Sequence, residues 1–172
     1  RLVNAAKKQL SNLPYSHSFR GRSTPSVNKL AEKLIDISPN QITNVFFASS
    51  GSEANESAIK IAWTFHKSKG VPTRRKILSH RKSYHGSAIF SALLSGSASM
   101  HEHQNCELTD IIFTTTPDFH HEALSEETEE DFSNRLVTEL ENLILRERPE
   151  TVAAFIAEPV MGVGGVIIPP KN

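Results

Sequence analysis

Cysteine is almost absent. Cys106 stands alone among 172 residues, so no internal disulfide can form and a reducing compartment, the cytoplasm, is expected. Charge of one sign is not in excess either, with 19 basic against 19 acidic residues. That balance excludes the basic stripe of a nucleic-acid reader and the cationic face of a membrane-surface helix. No apolar run is long enough to span a bilayer. The opening residues, Arg1-Leu2-Val3-Asn4-Ala5-Ala6-Lys7-Lys8, lack the apolar stretch of a secretory signal. An initiator Met is missing, and Pro169-Pro170-Lys171-Asn172 stops just after a strand-like run, so the sequence is expected to be a piece of a larger protein. Internal repeats, low-complexity tracts and linkers are missing too.

What is there alternates between helix and strand. Leu2, Ala5, Ala6, Gln9 and Leu10 recur at helical spacing, and Pro14 ends that segment. Thr24-Pro25 reads as cap and first position of a second helix, with Val27, Leu30, Ala31, Leu34 and Ile35 on one face. Val45-Phe46-Phe47-Ala48 is a short apolar strand candidate leading into Ser49-Ser50-Gly51-Ser52-Glu53. There Ser50-x-x-Glu53 matches a capping box, and the next helix is expected to turn Ala54, Ala58, Ile61, Ala62 and Phe65 inward. Residues 76–79, 111–114 and 152–157 are further strand candidates, with helices over 87–94 and from the 120s to Pro149. Phe132, Leu136, Leu140 and Leu143 form the inward stripe of the last helix. Apolar strands alternating with helices imply an α/β fold, a largely parallel sheet covered on both faces. Ligands of such sheets bind beyond the carboxyl ends of the strands.

Three clusters fall there. Around Ser50-Gly51-Ser52, helix-start amides without intrahelical partners and the positive end of the helix dipole suit a phosphate. Taken alone, the same residues are an ordinary helix cap. No Lys follows to make a Walker loop, and no Gly-x-Ser-x-Gly elbow makes a nucleophilic serine. Tyr84-His85-Gly86 can lay an aromatic ring on a cofactor beside a tight turn, or be a half-buried sheet edge. Glu158, ahead of Pro159 and the glycines 162, 164 and 165, either faces the crevice or satisfies backbone amides at a turn. Ile167 stands where a dinucleotide fingerprint needs glycine. His101-Glu102-His103 with Cys106, and His120-His121, match no common zinc spacing, so no metal is expected.

The clusters occur in the order of a known family. Residues 46–60, Phe46-Phe47-Ala48-Ser49-Ser50-Gly51-Ser52-Glu53-Ala54-Asn55-Glu56 and onward, resemble the phosphate-binding segment of class III pyridoxal-phosphate-dependent aminotransferases. Residues 76–87, ending Ser83-Tyr84-His85-Gly86-Ser87, and residues 155–165, with Glu158-Pro159-Val160-Met161-Gly162, look like its next two blocks. Leu13-Pro14-Tyr15, the Phe19 region and residues 30–34 look like the segment before the phosphate site. The similarity covers nearly the whole chain and is nearest to the ω-amine:pyruvate branch.

The resemblance implies a partial large domain of the fold-type-I, three-layer α/β/α architecture over residues 1–172. A preceding segment, the catalytic-lysine region and the small domain would lie outside it. It implies pyridoxal 5'-phosphate as cofactor, with Gly51 and Ser52 on the phosphate and Ser50 beside them. Tyr84 would stack on the pyridine ring, and His85 and Gly86 would shape that wall. Glu158 would sit near the ring and help hold the carboxylate that pairs with its nitrogen. Tyr15, Phe19 and Arg20 would line the substrate pocket. The Schiff-base lysine and the ring-nitrogen aspartate would lie beyond Asn172, so no catalytic residue falls in this sequence, and the 172 residues alone are expected not to transaminate. The complete protein would be a homodimer that moves an amino group from a primary amine or amino acid to a keto acid such as pyruvate. A mutase, racemase or decarboxylase of the same family, an inactive homologue, and a phosphate-binding domain without this cofactor are the alternatives.

Overall fold

The computed structural model describes residues 1–101 and 109–171. The chain divides into two compact units, Arg1–Phe47 and Ala48–Asn172. In the first, α1 (Leu2–Asn12) stops ahead of Pro14, and α2 (Pro25–Ile37) starts on Thr24, whose hydroxyl accepts the Val27 amide at 3.4 Å. Pro25 takes the first helical position, where no N–H is needed. Between them, residues 19–21 make a single 3-10 turn.

The second unit runs α3 (Gly51–Ser68), β1 (Lys76–His80), α4 (Ile89–Leu94), β2 (Ile111–Thr114), α5 (Phe119–Glu122), α6 (Glu129–Arg146) and β3 (Val152–Ile156). The strands form a parallel sheet in the order β2-β1-β3, with Leu78 opposite both Ile112 and Phe155. Ile77, Leu78 and Ser79 are consecutive and all fully buried, so β1 is covered on both faces. Ile77 packs with Ile59 of α3 and Leu94 of α4, with Trp63, Phe90 and Ile156 around them. α6 lies against β2.

Two expectations are corrected. Residues 45–48 form no strand and pair with nothing among the described residues. An apolar run makes a strand possible, but only a partner's N–H and C=O groups make one. On α3, the side turned to the sheet carries Ile59 with Ser52, Asn55, Trp63 and His66, whereas Ile61 and Phe65 are 56% and 54% exposed. Two stripes run along this helix, and the sheet takes the more polar one. Trp63 Nε1 donates to the Arg75 carbonyl at 2.8 Å and His66 Nε2 to that of Ala153 at 2.9 Å, which satisfies the polar atoms brought inward.

α6 opens on a capping box, Thr128 with Asp131, and buries Phe132 and Leu143 as its spacing predicts. Arg135 anchors the loop before it. Its guanidinium donates to both oxygens of Glu127 at 2.8 and 2.9 Å, to Glu139 at 2.8 Å and to the Glu122 carbonyl at 2.9 Å, and it lies over the Phe132 ring. The Arg135 hydrogen bonds hold the Glu127 carboxyl down from an ordinary 4.5 to about 2. A carboxyl depressed in the fold adds stability above its unfolded value and loses it as pH falls toward the folded one. Urea unfolding between pH 5 and about 2 is therefore expected to show a shallower acid loss in Arg135→Leu than in the wild type, since the variant removes the cause of the depression.

Candidate functional site

Because the strands are parallel, the carboxyl ends of β1 and β3 lie side by side. The chain leaves β1 for β2 on one flank and returns to β3 on the other, the connectivity that opens a ligand crevice. Beyond β1 come residues 83–87, and beyond β3 comes Glu158. Glu158 Oε1 accepts the Tyr84 amide at 2.8 Å and Oε2 accepts that of Gly162 at 3.3 Å. One carboxylate thus ties the turn after β1 to the glycine turn after β3.

The start of α3 is tied to the same place. Ser52 Oγ accepts the Ser87 amide at 3.0 Å, and Asn55 Nδ2 donates to the His85 carbonyl at 2.7 Å. Gly86 lets the two meet. Its φ is +133°, and a Cβ there would fall 2.6 Å from Ser91 Oγ and closer still to Ser52 Oγ. The three sequence clusters are therefore one constellation.

At the tip of α3, Ser50 is the N-cap and its hydroxyl accepts the Glu53 amide at 3.2 Å. Glu53 reaches back one residue further than a standard box, accepting the Ser49 amide at 2.7 Å. The amides of Gly51 and Ser52 have no acceptor among the described residues, as geometry dictates for a first turn. The space where a Gly51 side chain would stand is open. Ser52 Oγ uses a lone pair on Ser87 and keeps its proton to donate. Two free amides, a free hydroxyl proton and a helix dipole at an open glycine fit a phosphate monoester.

His85 faces inward. It is 5% exposed, its Nε2 lies 3.1 Å from Ser79 Oγ and its amide donates to Ser95 Oγ at 2.8 Å. Burial lowers its pKa, against the pull of Glu158 and with that of His80. His80 is also lowered by burial, although its Nδ1–H donates to the Thr115 carbonyl at 2.7 Å. Tyr84 is half-buried. Tyr15, Phe19 and Arg20 belong to the Arg1–Phe47 unit, where all three are exposed and the Arg20 guanidinium lies over the Phe19 ring at 5.7 Å. Asn55, Ser79, Ser87 and Ser95 escape the sequence reading. The one available signal is the i, i+3 spacing of Ser52 and Asn55, which puts both on one helix face.

Among the described residues, no three His, Cys, Asp or Glu side chains gather as a metal site. The His101-Glu102-His103 and Cys106 cluster falls largely outside them, and His121 Nδ1 is engaged by Asp118 at 2.9 Å.

The Aminotransferase class-III family profile matches residues 1–172. A probable gamma-aminobutyrate transaminase 3, mitochondrial, of Oryza sativa subsp. indica is 47% identical over 100% of this chain and 34% of its own length. A vanillin aminotransferase of Capsicum chinense is 47% identical over 100% of this chain and 38% of its own. An omega transaminase from Pseudomonas jessenii, solved in complex with PMP, superposes with a TM-score of 0.95 at 42% identity, over 99% of this chain and 38% of that one. The chain thus spans little more than a third of the length of the curated relatives it matches. With the profile running from Arg1 to Asn172 and the strand-end clusters joined in one place, the chain belongs to the class-III aminotransferase family, whose cofactor is pyridoxal 5'-phosphate.

Proposed function

We propose that the complete protein is a transaminase that moves an amino group from a primary amine or amino acid to a keto acid such as pyruvate, and that residues 1–172 are a partial cofactor-binding large domain. The observation that carries this reading is the pair of acceptor-free amides at Gly51 and Ser52, on a helix start stitched to the Tyr84 turn through Ser52–Ser87 and Asn55–His85. Gly51 and Ser52 hold the cofactor phosphate, with Ser50 beside them. Tyr84 lies on the ring, Gly86 and the backbone of His85 form the wall behind it, and Glu158 sets the position of that wall from near the ring. Bound there, the cofactor supplies a carbonyl that takes up the amino group and a ring that withdraws electrons. The lysine and aspartate that this chemistry requires are assigned to the protein outside these residues. For Tyr15, Phe19 and Arg20 as substrate-pocket residues, the support is the resemblance alone.

The relatives' names differ in substrate, gamma-aminobutyrate against vanillin, so the amino donor is left at the level of a primary amine or amino acid. A homodimer is proposed, to be read from the mass in solution. A cytoplasmic location is proposed from the solitary Cys106, to be read from a full-length fluorescent fusion; some relatives are named mitochondrial or chloroplastic. No helix among the described residues is long and apolar enough to cross a membrane.

The test is the full-length protein with cofactor, a primary amine and pyruvate. Alanine formation with a visible cofactor band is the expected result; no band and no alanine would sink the reading. Residues 1–172 alone, given the same mixture, are expected to form no alanine. Ser52→Ala removes the acceptor of the Ser87 amide and one donor to the phosphate while leaving the Ser50 cap intact. Cofactor titration is expected to show about tenfold weaker binding, the size of one or two lost hydrogen bonds.

A further inference from the structure

The buried polar atoms beneath the Tyr84 turn form a chain that the phosphate site does not use. Ser79, Ser83 and Ser95 are at most 1% exposed, and His85 lies among them. The Gly96 amide donates to Ser83, reaching both its carbonyl and its Oγ at 3.0 Å. Ser83 Oγ lies 3.0 Å from Ser79 Oγ, which lies 3.1 Å from His85 Nε2. Gly96 has no room for a Cβ, which would meet the His80 carbonyl and stand 2.7 Å from Arg81 Cα, so this close approach requires glycine.

The chain has a direction. An amide only donates, so Ser83 Oγ accepts from Gly96 and its own proton needs another acceptor. Ser79 Oγ is the one within reach among the described residues. Ser79 must then send its proton to His85 Nε2, which is therefore the bare nitrogen. If Nε2 carried a proton, either the Ser79 or the Ser83 hydroxyl would be left without an acceptor in the interior, a costly arrangement. Burial disfavours the imidazolium in the same sense, with Glu158 and His80 the ionisable groups that act on it.

We propose that His85 is a positioning residue: the one-way chain Gly96–Ser83–Ser79 locks its imidazole in one orientation, and that lock fixes the backbone carrying the Tyr84 ring. The backbone completes the clamp, since the His85 amide is held by Ser95, its carbonyl by Asn55 and the Tyr84 amide by Glu158. The inference rests on the reading of Tyr84 as the ring-stacking residue.

The test compares Ser79→Ala, His85→Phe and His85→Gln in the full-length protein with cofactor bound. Phe fills the space without an acceptor, whereas Gln keeps a polar end that can accept from Ser79. In Ser79→Ala and His85→Phe, the circular dichroism of the bound cofactor is expected to fall at least twofold. Their kcat is expected to drop about tenfold at near-constant KM for the amine, the scale of a slightly misplaced catalytic group. His85→Gln is expected to recover most of both signals. Unchanged dichroism and kcat, with only the melting temperature of the cofactor-free protein lowered, would make the network merely structural and overturn the proposal, as would equal loss in Phe and Gln. Wild type that takes up no cofactor would instead overturn the transaminase reading, and this inference with it.

Discussion

Gly86→Ala is expected to lose both stability and the cofactor. The added Cβ has nowhere to go. It meets Ser52 Oγ from α3 and Ser91 from α4, and the φ of +133° is one that side-chain-bearing residues rarely adopt. The backbone strain and the overpacking each cost about 1–3 kcal/mol, so a loss of about 2–6 kcal/mol is expected in urea unfolding of the cofactor-free protein. Turning the Ser52 hydroxyl aside breaks its bond to Ser87. The Ser91 Cβ, 2.9 Å from the added atom, cannot turn aside, so the turn must also shift, which strains the Asn55–His85 bond. Tyr84 then parts from the Gly51 and Ser52 amides, and cofactor affinity is expected to fall about 100-fold, as it would for a loss of about 3 kcal/mol. Gly51→Ala is the control within the same site. It has a negative φ and nothing within 4 Å of its Cβ, so its stability should stay near that of the wild type. A Gly86→Ala protein as stable as Gly51→Ala would show that the two segments do not meet as described.

Much of this was legible in the sequence, and the misses share a cause. Helix limits follow local chemistry, so Thr24-Pro25, Ser50-x-x-Glu53 and the prolines at 14 and 149 mark them well. β1, β2 and β3 are apolar runs that found partners. Residues 45–48 are equally apolar and found none, because pairing is decided by other parts of the chain. The inward stripe of α3 departs from its apolar spacing for a related reason. Ala58, Ile61 and Phe65 look more like core than Ser52, Asn55 and His66, yet these three bond the Ser87 amide and the carbonyls of His85 and Ala153. Composition cannot announce that Asn55 is wanted by a carbonyl 30 residues away. The helix-cap and phosphate readings of Ser50-Gly51-Ser52 also turn out to be compatible. The cap uses the Ser50 hydroxyl and the Glu53 amide, which leaves the Gly51 and Ser52 amides for a ligand.

Glu158 combines two readings in the same way. It satisfies turn amides, the bland role for a carboxylate after a strand, and through them it positions Tyr84. Glu158→Ala leaves the amides of Tyr84 and Gly162 without their acceptor, which is expected to cost about 2–4 kcal/mol. Glu158→Gln keeps one acceptor oxygen. That oxygen belongs on the Tyr84 amide, since the 2.8 Å bond outranks the 3.3 Å bond to Gly162. Gln is therefore expected to lose about 1 kcal/mol and to retain cofactor binding within a few-fold, while Ala loses well over tenfold. The charge has a separate readout. Glu158 pulls the His85 pKa up against burial, and both variants remove that pull. A histidine held neutral in the fold costs stability as pH drops through its unfolded value near 6.5, because the unfolded chain then binds the extra proton. Urea unfolding between pH 7 and 5 should thus fall more steeply in Glu158→Gln than in the wild type. Parallel curves would mean that Glu158 acts on this turn through its two hydrogen bonds alone.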